Sequence, residues 1–288
     1  MPNGRNADII HGEIVNQRTI FFVSDQTGVT AETLGYSLLT QFESIKFRHV
    51  TVPFISSPEK AEETVRRINQ IAKVEGTKPI VFSTLVQDDL RAIINAGDCL
   101  CLDFFDAFVA PLEKELKTRS SHTTGKAHGI KDVVAYTRRI EATNFALAAD
   151  DGAHIREYKR AEVILIGVSR SGKTPTSLYL ALQYGVFAAN YPLTEEDFER
   201  GDLPDSLKAC RQKLYGLTID ADRLQQIRNE RRPESNYSST RQVQFEIREA
   251  LALYRRYGIP FIDTTECSIE EIASTILNDT GVSRHMRP

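Results

Sequence analysis

The chain has no tryptophan, two methionines and four cysteines in 288 residues. The cysteines are Cys99, Cys101, Cys210 and Cys267, and the C-x-C pair lies in an apolar, strand-like CLCLDFF stretch with no second Cys or His cluster. That spacing excludes a zinc ribbon and a disulfide framework, and the thiols are expected to be buried and reduced. The six histidines (His11, His49, His122, His128, His154 and His285) show no metal-ligand spacing on one helix. No apolar run approaches the roughly 18 to 20 residues that cross a bilayer, and the polar start MPNGRNADIIHGEIVNQ has no signal-peptide core. A cytoplasmic protein without a membrane partner is expected. Net charge is −3, with no basic arm or Lys/Arg-dominated face, so nucleic acid is not an expected partner either. Internal repeats and low-complexity tracts are also absent.

What remains is a globular composition, 41% hydrophobic and 26% charged. Short apolar runs alternate with helix-period segments. TIFFV (19–23) reads as a strand, FRHVTVPF (47–54) as another, 59–74 as a helix, PIVFS (79–83) as a strand and 87–95 as a helix. SDQTGVTAE between the first strand and helix is a capping arrangement, with Ser24, Asp25, Thr27 and Gly28 ahead of Glu32, and also a small anion nest. KTRSSHTTGKAHGIK (117–131) is polar and reads as a connector. A helix over 132–149 is expected to turn Tyr136, Ile140 and Phe145 toward a packed face. Further strands are read at VFAANYP, LYGLTID and PFIDTT, and helices at 206–213, 221–231, 241–257 and in SIEEIASTIL. Such alternation predicts parallel sheets with helical crossovers. The expected fold class is α/β: an N-terminal parallel-sheet domain (1–130), followed by a phosphate-loop, kinase-like α/β domain (131–288).

The second domain opens on AEVILIGVSRSGKTPTSLYLALQ, where GVSRSGKT fits the pattern G-x-x-x-x-G-K-[ST]. A β-branched strand (163–166) precedes the octet and an apolar-periodic segment (175–182) follows it, the required order of strand, loop and helix. The expected phosphate cradle is Gly167, Val168, Ser169, Arg170, Ser171, Gly172, Lys173 and Thr174. The glycines let backbone N–H groups face phosphate oxygens, Lys173 reaches the terminal phosphates, and the Thr174 hydroxyl suits Mg²⁺. A chance glycine-rich turn would need none of these flanks.

Three further features are open to two readings each. Asp220 ends an apolar strand, where a carboxylate can hold Mg²⁺ or its water shell, or cap the next helix. Asp150 and Asp151 with Gly152 can supply a general base and a metal contact, or form a plain turn. Arg228, Arg231, Arg232 and Arg241 suit a lid over phosphates, or a solvated helix face paired with Asp222 and Glu230. No N-K-x-D guanine motif follows the loop, which argues against a GTPase switch.

Several segments together, SDQTGVTAE, RAIINAGDCLCLDFFDAFVAPLE, RRIEATNFALAADDG, GVSRSGKTPTSLYLALQ, LYGLTID with RLQQIRNERR, and IDTTECSIEEIA, resemble the pyruvate, phosphate/water dikinase regulatory proteins over nearly the whole chain. The GKTPTS form is closer to the branch that regulates phosphoenolpyruvate synthetase than to the pyruvate phosphate dikinase branch. The resemblance implies a bifunctional enzyme: an ADP-dependent kinase of a target threonine, and a phosphorylase that removes that phosphate with inorganic phosphate and releases pyrophosphate. It implies ADP and inorganic phosphate as co-substrates, Mg²⁺ as cofactor and phosphoenolpyruvate synthetase as protein partner. It also raises Asp150 and Asp151 above a plain turn, beside Lys173 and Asp220 as candidate catalytic residues. The family turn usually reads HDDG; here Ala149 replaces the histidine. A small-metabolite kinase and a non-catalytic nucleotide sensor are the competing readings of the loop, and the chain can be a homodimer.

Overall fold

The computed structural model describes residues 17–121, 133–233 and 235–286. The polar leader and residues 122–131 of the expected connector at 117–131 lie outside these residues. The chain divides into two compact units, Met1–Gly129 and Ile130–Pro288, each with its own core.

The first unit runs β1 (Gln17–Ser24), α1 (Val29–Leu39), β2 (Lys46–Val52), α2 (Pro58–Glu75), β3 (Ile80–Thr84), α3 (Asp88–Asn95), β4 (Leu100–Asp103) and α4 (Phe104–Leu116). Its four strands are all parallel, in the order β2-β1-β3-β4. Alternation along the strands sends Phe21, Val23 and Val81 to one face, against Ala61 and Ile68 of α2 and Leu90 and Ile94 of α3. Ile20, Phe22 and Phe82 go to the other face, against Ala31 and Leu39 of α1 and Phe104 of α4. The apolar runs of β1 and β3 therefore reflect helices covering both sides of a central pair.

Four expectations change here. The strand over 47–54 stops at Val52, and Phe54 takes a left-handed φ of 58°. The stretch read as strand through Phe105 breaks at Asp103, whose carboxylate accepts the Asp106 N–H and starts α4. That helix carries Pro111 in its interior, which hides it from any reading by propensity. Helix α1 has Gly28 as its N-cap with no side-chain cap; Glu32 instead accepts a hydrogen bond from the Thr51 hydroxyl. Only Cys210 is buried. Cys99 and Cys101 flank and join an edge strand, and Cys267 precedes the last helix, so all three stay partly exposed, and all four thiols are free. Burial still pushes the Cys101 thiol up to about 12 and the Cys99 thiol upward, so neither ionises at neutral pH.

The second unit runs α5 (Val133–Ala148), two 3₁₀ turns (Asp150–Gly152 and Ile155–Arg160), β5 (Val163–Gly167), α6 (Lys173–Tyr184), β6 (Ala188–Pro192), α7 (Glu195–Arg200), α8 (Asp205–Lys208), β7 (Leu214–Thr218), α9 (Ala221–Arg231), α10 (Thr240–Tyr257), β8 (Phe261–Asp263) and α11 (Ile269–Thr280). Its sheet is again four parallel strands, β6-β5-β7-β8. Every residue of β5 is buried; Val163 and Leu165 face a core with α6 and α11, while Ile164 and Ile166 face the larger core with α9 and α10. The α/β fold class is thus borne out in both units. The helix expected over 206–213 ends at Lys208 and resumes only as a 3₁₀ turn at Arg211–Lys213. On α5, Phe145 is buried beside Ala142 and Ala146, whereas Tyr136 and Ile140 are exposed, because the packed stripe against α6 is built of alanines.

The register places the end of β5 at a switch point, with Gly167 opposite Pro192 on one side and Leu217 on the other. Clefts for ligands in such sheets open at that edge. A Cβ at Gly167 would stand 2.5 Å from the Leu217 carbonyl oxygen, so only glycine lets the strand turn there. Above the same edge, the buried Tyr254 hydroxyl is held 3.0 Å from the Ile166 carbonyl and 3.2 Å from that of Leu217. Its ring lies over Gly216, where a Cβ would come within 2.7 Å.

Candidate functional site

The octet GVSRSGKT forms the turn between β5 and α6 at the centre of this edge. Gly172 caps α6 with φ of 91° and no side-chain cap, so the first N–H groups of the helix are left for a ligand. Pro175 sits in the first turn, where a missing N–H costs nothing. The Thr264 hydroxyl donates to the Ser171 carbonyl at 3.2 Å and thereby ties the end of β8 to the loop.

Lys173 is 4% exposed, and its Nζ donates to the Val168 carbonyl at 2.8 Å. Burial pushes its pKa down to about 8, aided by the Arg228 and Arg170 charges and opposed by Asp151 and Asp150. The ammonium is therefore held where an added anion would restore its ordinary basicity.

The acidic turn meets the loop directly. Asp150 Oδ1 accepts from the Thr174 hydroxyl at 2.8 Å and from Asn190 Nδ2 at 2.5 Å. Asn190 is fully buried in the middle of β6, and its Oδ1 accepts the Asp151 N–H at 3.0 Å. Its own N–H donates to the Ala149 carbonyl and its carbonyl accepts the Tyr158 hydroxyl at 2.7 Å. One asparagine thus holds the Asp150 carboxylate and the Asp151 backbone, the latter at a left-handed φ of 48°. A non-glycine residue in that region stores on the order of 1 to 3 kcal/mol unless its surroundings impose it. Sequence reasoning passed over Asn190; the signal was an amide in a strand otherwise fit for full burial, which requires partners.

Asp220 is placed differently. Its Oδ1 accepts the Asp222 and Arg223 N–H groups at 2.9 and 3.1 Å and caps α9, and hydrogen bonds link Asp150, not Asp220, to Thr174. The arginines also divide. Arg228 is fully buried, paired with Glu246 at 2.6 Å, stacked 4.2 Å from the Tyr237 ring centre, and bonded to the Ser169 and Tyr237 carbonyls. The Tyr237 hydroxyl donates to Ser169 Oγ at 2.8 Å. Arg228 is therefore a strut between α9, α10 and the loop, with Glu246 as its partner in place of Asp222 or Glu230. Arg231 and Arg232 line a cavity of about 480 Å³ with Ser169, Arg170 and Tyr237; Arg241 is exposed at the start of α10.

For Mg²⁺ the fitting donors are the Thr174 hydroxyl and Asp150, two hard oxygens that already converge, with phosphates and water to complete the shell. No cluster of three or more His, Cys, Asp or Glu side chains fit for a metal occurs among the described residues.

A parallel α/β unit with the glycine-framed octet at its central switch point, a buried lysine and a carboxylate on the loop threonine defines an α/β protein of phosphate-loop architecture. The chain belongs to the kinase/pyrophosphorylase family, whose model matches residues 20–277. A relative from Alcanivorax borkumensis is 55% identical over 271 residues, covering 94% of this chain and all of the relative. One from Legionella pneumophila (strain Lens) is 53% identical over 268 residues, 93% and 99% of the two chains. Both carry the provisional name phosphoenolpyruvate synthase regulatory protein. No helix among the described residues is long and apolar enough to cross a membrane.

Proposed function

We propose that this protein is a cytoplasmic, bifunctional regulator of phosphoenolpyruvate synthetase, an ADP-dependent threonine kinase and a phosphate-dependent, pyrophosphate-forming phosphorylase. The observation that carries the reading is the contact of the acidic turn with the loop threonine. It brings a carboxylate pair, a lysine and a phosphate cradle to one point, as phosphoryl transfer requires.

In the kinase direction the target hydroxyl attacks the β-phosphorus of ADP, the bond to the bridging oxygen breaks, and AMP leaves. Asp151 is suited to take the hydroxyl proton, because its carboxylate is exposed while Asp150 is engaged by Thr174 and Asn190. Lys173 and the N–H groups of the loop offset charge on the transferred group. Thr174 and Asp150 would hold Mg²⁺, which supplies further charge neutralisation on the phosphates. In the phosphorylase direction an oxygen of hydrogen phosphate bonds to the phosphothreonine phosphorus. The bond to the threonine oxygen breaks, that oxygen takes the proton, and pyrophosphate is released. One cradle serves both directions because the transferred group is the same.

The test is incubation with ADP and purified phosphoenolpyruvate synthetase, with mass spectrometry of the target. Phosphate on a threonine, loss of synthetase activity, and its return with pyrophosphate on adding phosphate are expected, with Lys173→Ala as the inactive control. Phosphate on pyruvate phosphate dikinase alone would move the protein to the other branch. ADP turnover without either target would indicate a small-metabolite kinase, and ADP binding without turnover a nucleotide sensor.

A further inference from the structure

Among the described residues, the cavity beside the loop is lined by three guanidinium-bearing residues, Arg170, Arg231 and Arg232, with Ser169 and Tyr237, and by no carboxylate. Among the described residues none of the three arginines has an ion-pair partner, although Arg228 one turn away is paired with Glu246. Two of them come from the end of α9, where basic residues are common in any helix. Arg170 comes from the loop itself and holds a left-handed φ of 76°, a backbone position that a free arginine side chain would not choose. Two separate elements therefore bring like charges together, and the loop does so from a strained backbone position. The join is rigid: Arg228 donates to the Ser169 carbonyl at 3.1 Å, and Tyr237 donates to Ser169 Oγ. Concentrated positive charge without a counter-ion among the described residues is matched by a dianion, and planar guanidinium donors fit its oxygens in pairs.

We propose that this cavity is a second phosphate subsite, next to the one in the loop, so that loop and cavity together take two linked phosphates. Ser169 and Arg170 belong to both, which makes the two subsites contiguous. The inference rests on the loop being the site of transfer proposed above, and it deepens that reading. Both directions involve paired phosphates: a nucleoside diphosphate enters in one, and pyrophosphate forms in the other. Arg231 and Arg232 are then binding residues for the phosphate outside the cradle.

Calorimetric titration of the full chain with pyrophosphate and with inorganic phosphate, in magnesium-free buffer, tests this without a target protein or turnover. The wild type should bind pyrophosphate at least roughly tenfold more tightly than phosphate, and R231Q/R232Q should lose about tenfold of the pyrophosphate affinity. The affinity for phosphate, which needs the loop alone, should shift far less. Both arginines are exposed, so the variant should keep the wild-type melting temperature, and the single substitutions R231Q and R232Q serve if it does not. An unchanged preference for pyrophosphate in the variants, or no preference in the wild type, overturns the subsite. Loss of target phosphorylation with that preference intact would overturn the function and leave the subsite standing.

Discussion

Asp151 and Asn190 are where single side chains decide most. If Asp151 takes the threonine proton, Asp151→Asn keeps the shape and removes the acceptor. Turnover should fall by about 10²- to 10⁴-fold with ADP affinity kept, read by single-turnover kinetics and by titration. An unchanged rate would return the turn to a structural role. Asn190→Ala acts at one remove. It takes away the Asp150 and Asp151 contacts together and should cost about 1 to 3 kcal/mol of stability, measured by urea denaturation. The octet from Gly167 to Thr174 was legible in the sequence because its chemistry is local and fixed in spacing. Asn190 and Tyr237 were not, because their partners stand 39 and 68 positions away in the chain.

Elements carry the next set of constraints. The reading of α9 came out at the residue, 221–231, because an aspartate precedes it and a polar break follows. Helix α4 was missed, since an interior proline and a face with no buried residue leave no inward stripe to detect. The cap on α9 also separates the two roles weighed for Asp220. Asp220→Ala should cost about 0.5 to 2 kcal/mol in thermal denaturation, whereas Asp220→Asn, which still caps, should keep both stability and turnover. Loss of turnover in the asparagine variant would restore the metal role. In the first unit, Asp25 at the end of β1 is mostly buried and accepts the Val86 N–H at 3.1 Å. Burial raises its carboxyl pKa, against the lowering effect of the Val86 N–H and its own. A raised folded-state pKa means that the folded chain binds more protons between the ordinary value of 3.8 and the raised one. Stability from this group therefore falls as pH rises through that window, and the full penalty persists at neutral pH. Asp25→Asn, which keeps the acceptor, should melt higher than the wild type at pH 7, and the gap should close as the pH falls below the raised value.

At the scale of the whole molecule, the two units have separate sheets and separate cores, so residues 130–288 should fold alone and bind ADP. Circular dichroism with ADP titration of that fragment checks this; a fragment without cooperative melting would show that its core depends on the first unit. A fragment that binds ADP yet leaves the synthetase unphosphorylated would assign target docking to the first unit. The division into alternating strands and helices was readable because period-2 and period-3.6 patterns are set residue by residue. The packing across the sheet edge was not, and there lies a consequence for how such sequences diverge. The tyrosine hydroxyl at 254 bridges the carbonyls of Ile166 and Leu217, and its ring fills the space that a side chain at 216 would need. Descent is thereby constrained in pairs: a lineage that gains a side chain at 216 is expected to have first given up the ring at 254. Positions 216 and 254, far apart in the chain, should thus change together or stay fixed together across the family.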